Sequence, residues 1–372
     1  MNKPVRNLLA ATAFVFAVPA ATTASAQYTN DPFFDWTVVM SQGYGMEMAM
    51  IRIDVLDAIE GPVDPDLIEV VEQMAKGDWE RFGGTLAARD PELAGELYEY
   101  LAAFEEVLED GEPADDLFEP TRALLAQAYD IVIDPAIRES AAYKGAIIAQ
   151  LLLAEGGVAE GYEEAEEEIF AYSMGWGTLQ RVKELWAEIE GPLTDGQKQE
   201  AGQLVGILDA LYPQAAPPEE WVGQNPEEAE APAQLLMGIV ETAADANLYA
   251  GRDLGRLARH LADTVAPSCA LIEAGDDALA REAFYPAADH FFGETTGLAD
   301  LVNLFDPEIF ERAEGLIPLF ALLEEEEEDD DDASAAPAAA GDDDDDEEYE
   351  YGVEACEALV QTFRDAQAML GG

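Results

Sequence analysis

The feature that most constrains the fold of this chain is a recurring helix start. An Asp or Asn stands directly before a Pro at the head of runs rich in Ala, Leu and Glu. The Asp or Asn side chain can accept hydrogen bonds from free backbone N–H groups, and Pro lacks the N–H that the first helical residue leaves unpaired. Alternating β-branched stretches are few, so the sequence predicts an all-α fold. The pairs are Asp64-Pro65, Asp90-Pro91, Asp134-Pro135, Asn225-Pro226 and Asp306-Pro307.

Apolar periodicity places the individual helices. Apolar residues recur in steps of three or four from Val158 to Ile189, which predicts one helix of about nine turns, bent at Gly175 and Gly177. Further helices are predicted near 34–60, 66–84, 92–109, 115–131, 136–154, 195–211, 227–248, 252–273, 277–291, 307–323 and 353–369.

We expect these helices to form a multi-helix bundle or two packed helical halves. The Pro-rich segment from Tyr212 to Pro226 is the expected boundary between the halves. The predicted organisation is a signal peptide at 1–26, an N-terminal half at 27–212, a C-terminal half at 213–323, a disordered acidic tract at 324–350 and a C-terminal helix within 351–372.

The start of the chain has the pattern of a secretory signal peptide. Lys3 and Arg6 supply the positive region, residues 8–18 are apolar, and residues 24–26 match a small-residue cleavage site. No later apolar stretch reaches the roughly 18 to 20 residues that a membrane-spanning helix needs. We therefore expect an exported protein, periplasmic or extracellular, without a membrane span.

Charge is the strongest compositional feature. Lys and Arg number 18 against 80 Asp and Glu, for a formal net charge of -62 at pH 7. This balance excludes proteins that bind nucleic acid by neutralising phosphates, because those need clustered cations. Within 160–168, Glu residues four apart repel each other by a few tenths of a kcal/mol per pair unless ions screen them. We therefore expect counterions to stabilise the fold.

Residues 324–350 concentrate the negative charge. Such a segment cannot bury apolar area against its own repulsion, which predicts an extended, disordered loop. Carboxylate oxygens suit Ca²⁺ or another divalent cation, but no stretch matches the spacing of an EF-hand loop. The tract therefore predicts diffuse cation binding, or attraction of a basic partner. The predicted ligands are Glu324, Glu325, Glu326, Glu327, Glu328, Asp329, Asp330, Asp331, Asp332, Asp342, Asp343, Asp344, Asp345, Asp346, Glu347 and Glu348.

The two histidines each have a carboxylate at helical spacing. His260 is followed by Asp263, and His290 is followed by Glu294. If their helices faced each other, these four side chains would make a transition-metal site. The competing interpretation is two ordinary histidines, since such spacings arise often by chance.

A cationic stripe lies on the predicted helix near 252–273. Arg252, Arg256 and Arg259 follow one another at helical spacing, with His260 beside them, in a chain with few other cations. Arginines in such a stripe can grip a phosphate or carboxylate ligand. The competing interpretation is pairing with the abundant carboxylates of the same protein.

Cys269 and Cys356 are the only cysteines. In an oxidising compartment they would form one disulfide, closing a loop of nearly 90 residues and contributing about 4 kcal/mol to the free energy of unfolding. The competing interpretation is a pair of unpaired buried thiols.

No motif specific for catalysis occurs in the chain, and carboxylates are too abundant to single out an acid–base pair. We therefore expect an exported, non-catalytic protein that binds or buffers divalent cations, or binds a basic partner, through dense carboxylates. One alternative is a helical protein that binds a small ligand or transition metal with the cationic stripe and His290. Another is a structural envelope protein whose acidity reflects only a saline environment.

Overall fold

The computed structural model describes residues 32, 36–59, 77–109, 114–154, 156–166, 169–217, 225, 227–248, 253–293, 296–320 and 351–371. Within these ranges there is no β-strand, and the all-α prediction is confirmed. No helix in these ranges combines the length and the apolar character required to cross a membrane.

The described helices in the first two thirds of the chain are α1 (Thr37–Ala58), α2 (Trp79–Arg89), α3 (Pro91–Glu109), α4 (Asp115–Val132), α5 (Pro135–Arg138), α6 (Ala141–Leu153), α7 (Glu160–Glu163), α8 (Ile169–Ile189), α9 (Asp195–Leu211) and α10 (Glu227–Ala244). They are followed by α11 (Leu254–Ala274), α12 (Asp277–Phe292), α13 (Leu298–Phe305), α14 (Pro307–Leu316) and α15 (Val353–Leu370). Short 3-10 turns occupy Glu164–Glu166 and Ile317–Leu319.

The buried apolar residues form two clusters. The first extends from Met40 to Leu248 and includes residues of α10, which packs against α6 and α9. The second extends from Leu257 to Ala366, with α11 lying against both α12 and α15. The change from one cluster to the other therefore lies between Leu248 and Leu257. The two clusters meet where α12 packs on α1 and α2.

The predicted helix starts are seen where the structure describes them. Asp90 and Asp134 each accept a hydrogen bond from a backbone N–H in the first turn of the next helix, at 3.1 and 2.8 Å. α14 begins at Pro307, as expected. Asp64-Pro65 lies outside the described residues, as does Pro226.

The single long helix predicted from Val158 to Ile189 is wrong. An added Cβ on Gly161 would lie 2.7 Å from the carbonyl oxygen of Ala171 and 3.1 Å from Cα of Gly175. In one continuous helix, residues 161 and 175 would be about 21 Å apart. The chain instead folds back, so that α7 lies beside α8. Close glycine packing favours the fold-back, and repulsion among the Glu residues of 160–168 disfavours the long helix.

The helix predicted over 136–154 is also divided in two. α5 ends at Arg138 and α6 begins at Ala141, because the Ser140 hydroxyl accepts the backbone N–H of Tyr143 at 3.1 Å and caps a new helix. This break changes the direction of the chain between Arg138 and Lys144. Both residues line the cleft described next.

Candidate functional site

A cleft of about 330 Å³ opens among helices α1, α4, α5, α6 and α8. A second cavity, of about 440 Å³, shares Asp130 with it. The cleft combines charged, aromatic and apolar walls, as small-molecule sites do. Its lining residues are Glu47, Met50, Ala126, Tyr129, Asp130, Arg138, Glu139, Tyr143, Lys144, Ile147, Arg181, Leu185 and Glu188.

The break between α5 and α6 places two of the three cations in the cleft. Arg138, at the end of α5, lies over α4 with its guanidinium carbon 5.2 Å from the centre of the Tyr129 ring. Tyr143 and Lys144, in the first turn of α6, reach towards α4 and α8. One short chain segment therefore supplies cations to two walls of the same cleft.

The floor of the cleft is a buried hydrogen-bonded chain. Glu47, with 2% of its side chain exposed, accepts from Arg181 Nε at 2.6 Å and from the second guanidinium nitrogen at 3.0 Å. Tyr129 donates its hydroxyl to Glu47 at 2.9 Å, and its oxygen lies 2.8 Å from that of Tyr143. Because the Tyr129 proton faces Glu47, Tyr143 must donate to Tyr129. The Tyr143 oxygen keeps a lone pair that can accept another donor.

Burial fixes the protonation of the floor. It raises the pKa of Tyr129 well above the usual range for tyrosine, and the Glu47 charge raises it further. Burial also raises the pKa of Tyr143, whereas the nearby charges of Arg138 and Arg181 act in the opposite direction. Although burial disfavours a charged guanidinium, hydrogen bonds to Glu47 hold the pKa of Arg181 above its usual value. At neutral pH both phenols are neutral and Arg181 is a cation.

The rim of the cleft carries exposed carboxylates. Arg138 pairs with Asp130 at 2.7 Å, and Lys144 pairs with Glu139 at 2.9 Å and Glu188 at 2.5 Å. The side chains of these three acids are between 51% and 66% exposed. A hydrogen bond from Lys144 lowers the pKa of Glu139, and the attraction of the same charge adds to it. The rim acids therefore reach the cations from the solvent side and can exchange with a ligand.

A second buried polar cluster joins α12 to α1 and α2. Glu282, 3% exposed, accepts from the Thr85 backbone N–H at 2.6 Å, the Thr85 hydroxyl at 2.5 Å and the Gln42 amide at 2.8 Å. Burial raises the pKa of Glu282, although these hydrogen bonds and the charge of Arg89 act against the rise. The Gln42 amide also donates to the Thr85 hydroxyl at 3.0 Å, so these groups satisfy one another and the cluster acts as a structural joint.

The two predicted histidine–carboxylate pairs lie on separate helices. On α11, His260 Nε2 contacts the hydroxyl of Thr37, and Asp263 is exposed. On α12, His290 is buried, which lowers its pKa. Glu294 lies outside the described residues. In the part of the chain that the structure describes, no group of three or more His, Cys, Asp or Glu is placed to hold a metal ion.

The cationic stripe occupies the start of α11. Arg252 lies outside the described residues. The backbone N–H of Arg256 donates to Asp253 at 2.9 Å and so helps to cap α11, while Arg259 is exposed. Neither arginine lines either of the two cavities. Arg256 and Arg259 therefore do not belong to the cleft.

The cysteine prediction is confirmed, and the acidic tract is not described. Cys269 on α11 and Cys356 on α15 form a disulfide with Cα atoms 5.5 Å apart. The bond joins helices that belong to the second cluster. The predicted carboxylate ligands at 324–332 and 342–348 lie outside the described residues, as do the predicted signal peptide residues 1–26.

Comparison with protein-family models, curated proteins and solved structures gives no match for this chain. The site must therefore be interpreted from its own residues. Sequence reasoning missed the cleft, because its cations come from positions 138, 144 and 181 and show no motif. One signal was present: Ser140 stands where a helix N-cap would divide the predicted helix and separate Arg138 from Lys144.

Proposed function

We propose that this protein is an exported, non-catalytic binder of divalent cations such as Ca²⁺, which its carboxylates hold in many weak sites. The observation that carries the proposal is a separation of charge in the described helices. The scarce cations are largely used in contacts between helices, whereas the carboxylates are mostly exposed.

Three ion pairs illustrate the use of cations inside the fold. Arg181 pairs with the buried Glu47 between α8 and α1. Arg52 pairs with Asp78 at 2.9 Å, and both side chains are almost fully covered. The third pair joins Arg81 to an acid of α12 at 2.6 Å. Because these cationic side chains lie inside the fold, too few remain at the surface to neutralise the exposed carboxylates.

The exposed carboxylates are spaced so that they repel one another. On α3, Glu92, Glu96 and Glu99 are all exposed and stand three or four residues apart. The same spacing recurs over 308–314 on α14. Like charges at these distances destabilise a helix unless cations screen or bridge them. Dissolved cations are therefore part of the folded protein's electrostatic balance.

The exposed carboxylates suit many weak sites for divalent cations better than they suit a single high-affinity metal site. Ca²⁺ takes six to eight oxygen ligands in flexible geometry, so it suits scattered carboxylates and their bound water. Since the described residues hold no three-ligand group, binding would be weak and of high capacity. The tract at 324–350 adds 17 carboxylates to this capacity. A basic protein surface is the other ligand that the same charge would attract.

Export is part of the proposal. A disulfide between Cys269 and Cys356 is typical of oxidising compartments, which supports a location outside the cytoplasm. Expression in a secreting bacterium should release a product that begins at Gln27, measurable by mass spectrometry of the secreted chain. If the protein is found only in the cells and still carries Lys3 and Arg6, export is contradicted.

Equilibrium dialysis with Ca²⁺ tests the binding. We expect several Ca²⁺ ions to be bound per chain in 10 mM NaCl. A smaller number should remain bound in 1 M NaCl. Changing all 17 acids of 324–350 to Asn or Gln should lower the capacity at unchanged chain length. A matched variant, Glu92→Gln with Glu96→Gln and Glu99→Gln, removes charge from one folded helix and should lower the capacity by only a small share.

The same titration can overturn the proposal. If Na⁺ displaces all Ca²⁺ in proportion to ionic strength alone, the acidity only screens the protein in salt, as the structural envelope alternative requires. If the neutralised variant keeps full capacity, the tract takes no part in binding.

A further inference from the structure

We propose that the cleft lined by Arg138, Lys144 and Arg181 binds a small zwitterion of the α-amino-acid type. Its carboxylate would lie between the two guanidiniums, and its ammonium among the rim acids Asp130, Glu139 and Glu188. The inference does not depend on the cation-binding function, because none of the residues that line the cleft belongs to 324–350.

Two guanidiniums reach the same cleft from different helices. Arg138 lies at the end of α5 and Arg181 on α8, and both line the cleft. Arg181 donates to Glu47 through Nε and one terminal nitrogen and to Glu184 through the other, which leaves it one N–H on each terminal nitrogen. Two guanidiniums that line one cavity are suited to a carboxylate, which can accept from both at once.

Arg138 has donors to spare. Among the described residues its guanidinium has one carboxylate contact, from one terminal nitrogen to Asp130, and otherwise lies over the Tyr129 ring. A guanidinium carries five N–H donors. The remaining donors of Arg138 can therefore serve a ligand carboxylate without breaking a buried pair.

The rim supplies the opposite charge. Asp130, Glu139 and Glu188 surround the entrance, and each is more than half exposed. A ligand ammonium placed there could take Asp130 and one of the two acids that pair with Lys144, and Lys144 would keep the other.

The charge of the whole protein selects against simpler ligands. The cleft holds three cations and four carboxylates, which is close to balance in a chain of net charge -62. The long-range field repels a plain anion. A plain cation gains the rim acids but meets three positive groups inside. A zwitterion satisfies both sets of charges and feels little net force from the field.

Apolar residues complete the site. Met50, Ile147 and Leu185 line the cleft beside the charged groups. They give an aliphatic side chain a surface on which to lie, and a cavity of about 330 Å³ is within the range of small-ligand sites. We therefore expect apolar amino acids to bind better than glycine.

Isothermal titration of the full protein with three matched probes tests the proposal. The probes are L-leucine, 4-methylpentanoate, which lacks the ammonium, and 3-methylbutylamine, which lacks the carboxylate. L-leucine should bind at least about tenfold more tightly than either fragment, because each fragment loses one charge-assisted set of hydrogen bonds. Glycine and L-phenylalanine extend the series in size.

Two variants locate the binding. Arg138→Gln should weaken L-leucine binding at least about tenfold, and Glu188→Gln should weaken it by less, since two rim acids remain. Arg312→Gln is the matched control, because Arg312 pairs with Asp365 on α14 and α15, outside the cleft. Circular dichroism and the unfolding midpoint establish that each variant is folded.

The outcomes are distinct. If no zwitterion in the series binds at 10 mM, or if one fragment binds as well as L-leucine, the proposal is overturned. Equal binding by Arg138→Gln and the native protein would also overturn it. Binding of L-leucine should persist when the acids of 324–350 are neutralised, so the failure of either proposal can be told from the failure of the other.

Discussion

Arg81 holds Asp289 with two hydrogen bonds, 2.6 and 3.4 Å long, across the contact between the two apolar clusters. Arg81 belongs to α2, and Asp289 belongs to α12. The guanidinium also lies 5.4 Å from the centre of the Tyr44 ring and 5.1 Å from that of Tyr285. The planar group thus contacts an acid and two aromatic rings, and it joins the first cluster to the second.

Replacing this arginine should weaken the joint. Arg81→Met leaves Asp289 without its partner, and because that acid is 37% exposed we expect a loss near the lower end for buried pairs, about 3 kcal/mol. Arg81→Lys should recover little of it, since an ammonium cannot bond the acid bidentately while stacking on both rings. Urea unfolding measures both variants. Full recovery by lysine would show that charge alone holds the joint.

The buried carboxyl of Glu282 should make the joint sensitive to pH. Its neighbours are Gln42 on α1 and Thr85 and Arg89 on α2. Burial raises its pKa, so the folded protein favours the protonated form. The stability that this provides is present at acid pH, below the usual range for Glu, and is lost as the pH rises through the raised pKa.

Two substitutions separate this pH effect from the loss of hydrogen bonds. Glu282→Gln cannot titrate, so its unfolding free energy relative to the native protein should rise from pH 4 to pH 7. Glu282→Leu removes the acceptor of the Thr85 N–H and of the Thr85 hydroxyl, while the Gln42 amide keeps only its bond to that hydroxyl. The change should cost about 2 to 3 kcal/mol. Urea unfolding at both pH values measures these differences. A constant difference for Glu282→Gln would contradict the raised pKa.

Most of the helices could be predicted from signals in nearby residues. Asp90 and Asp134 cap helices through their own side chains, so a short stretch of sequence sufficed to place α3 and α5. The division at Ser140 has a local cause, its own N-cap, but apolar periodicity continues across it. The fold-back at Gly161 depends on contacts with α8, and periodicity continues across it as well. α13 begins at Leu298, and its N-cap residue Gly297 has no side chain to cap it, so the sequence carried no Asp-Pro or Asn-Pro start for this helix.

The candidate site was beyond sequence reasoning for a different reason. Glu47, Tyr129 and Arg181 are far apart in the chain, and they meet only because α1, α4 and α8 pack together. The sequence of so acidic a chain does not show which carboxylate pairs with which cation, since many carboxylates could pair with each one. Which acid it selects is decided by tertiary packing.

The disulfide should stabilise the second cluster alone. Cys269 and Cys356 are 87 residues apart, and a loop of that length corresponds to about 4 kcal/mol in the chain-entropy model. Changing both to Ser should lower the protection of the amides of α11 and α15 against hydrogen exchange. The protection of α4 and α8 should change little. A reductant should have this effect on the native protein and none on the variant. Two titratable thiols in unreduced protein would refute the bond.

Two glycines on helices should respond to alanine in opposite directions. A Cβ on Gly175 of α8 would lie 2.3 Å from the hydroxyl of the buried Tyr212, which donates to the Val158 carbonyl at 2.7 Å. Since the ring cannot move without losing that bond, Gly175→Ala should cost about 1 to 3 kcal/mol. Gly206 of α9 is exposed, with no atom near its Cβ position, so Gly206→Ala should stabilise the protein by about 0.5 to 1 kcal/mol. Thermal unfolding of both variants measures the two signs, and stabilisation by Gly175→Ala would show that α7 and α8 do not pack as closely as the Gly161 and Tyr212 contacts require.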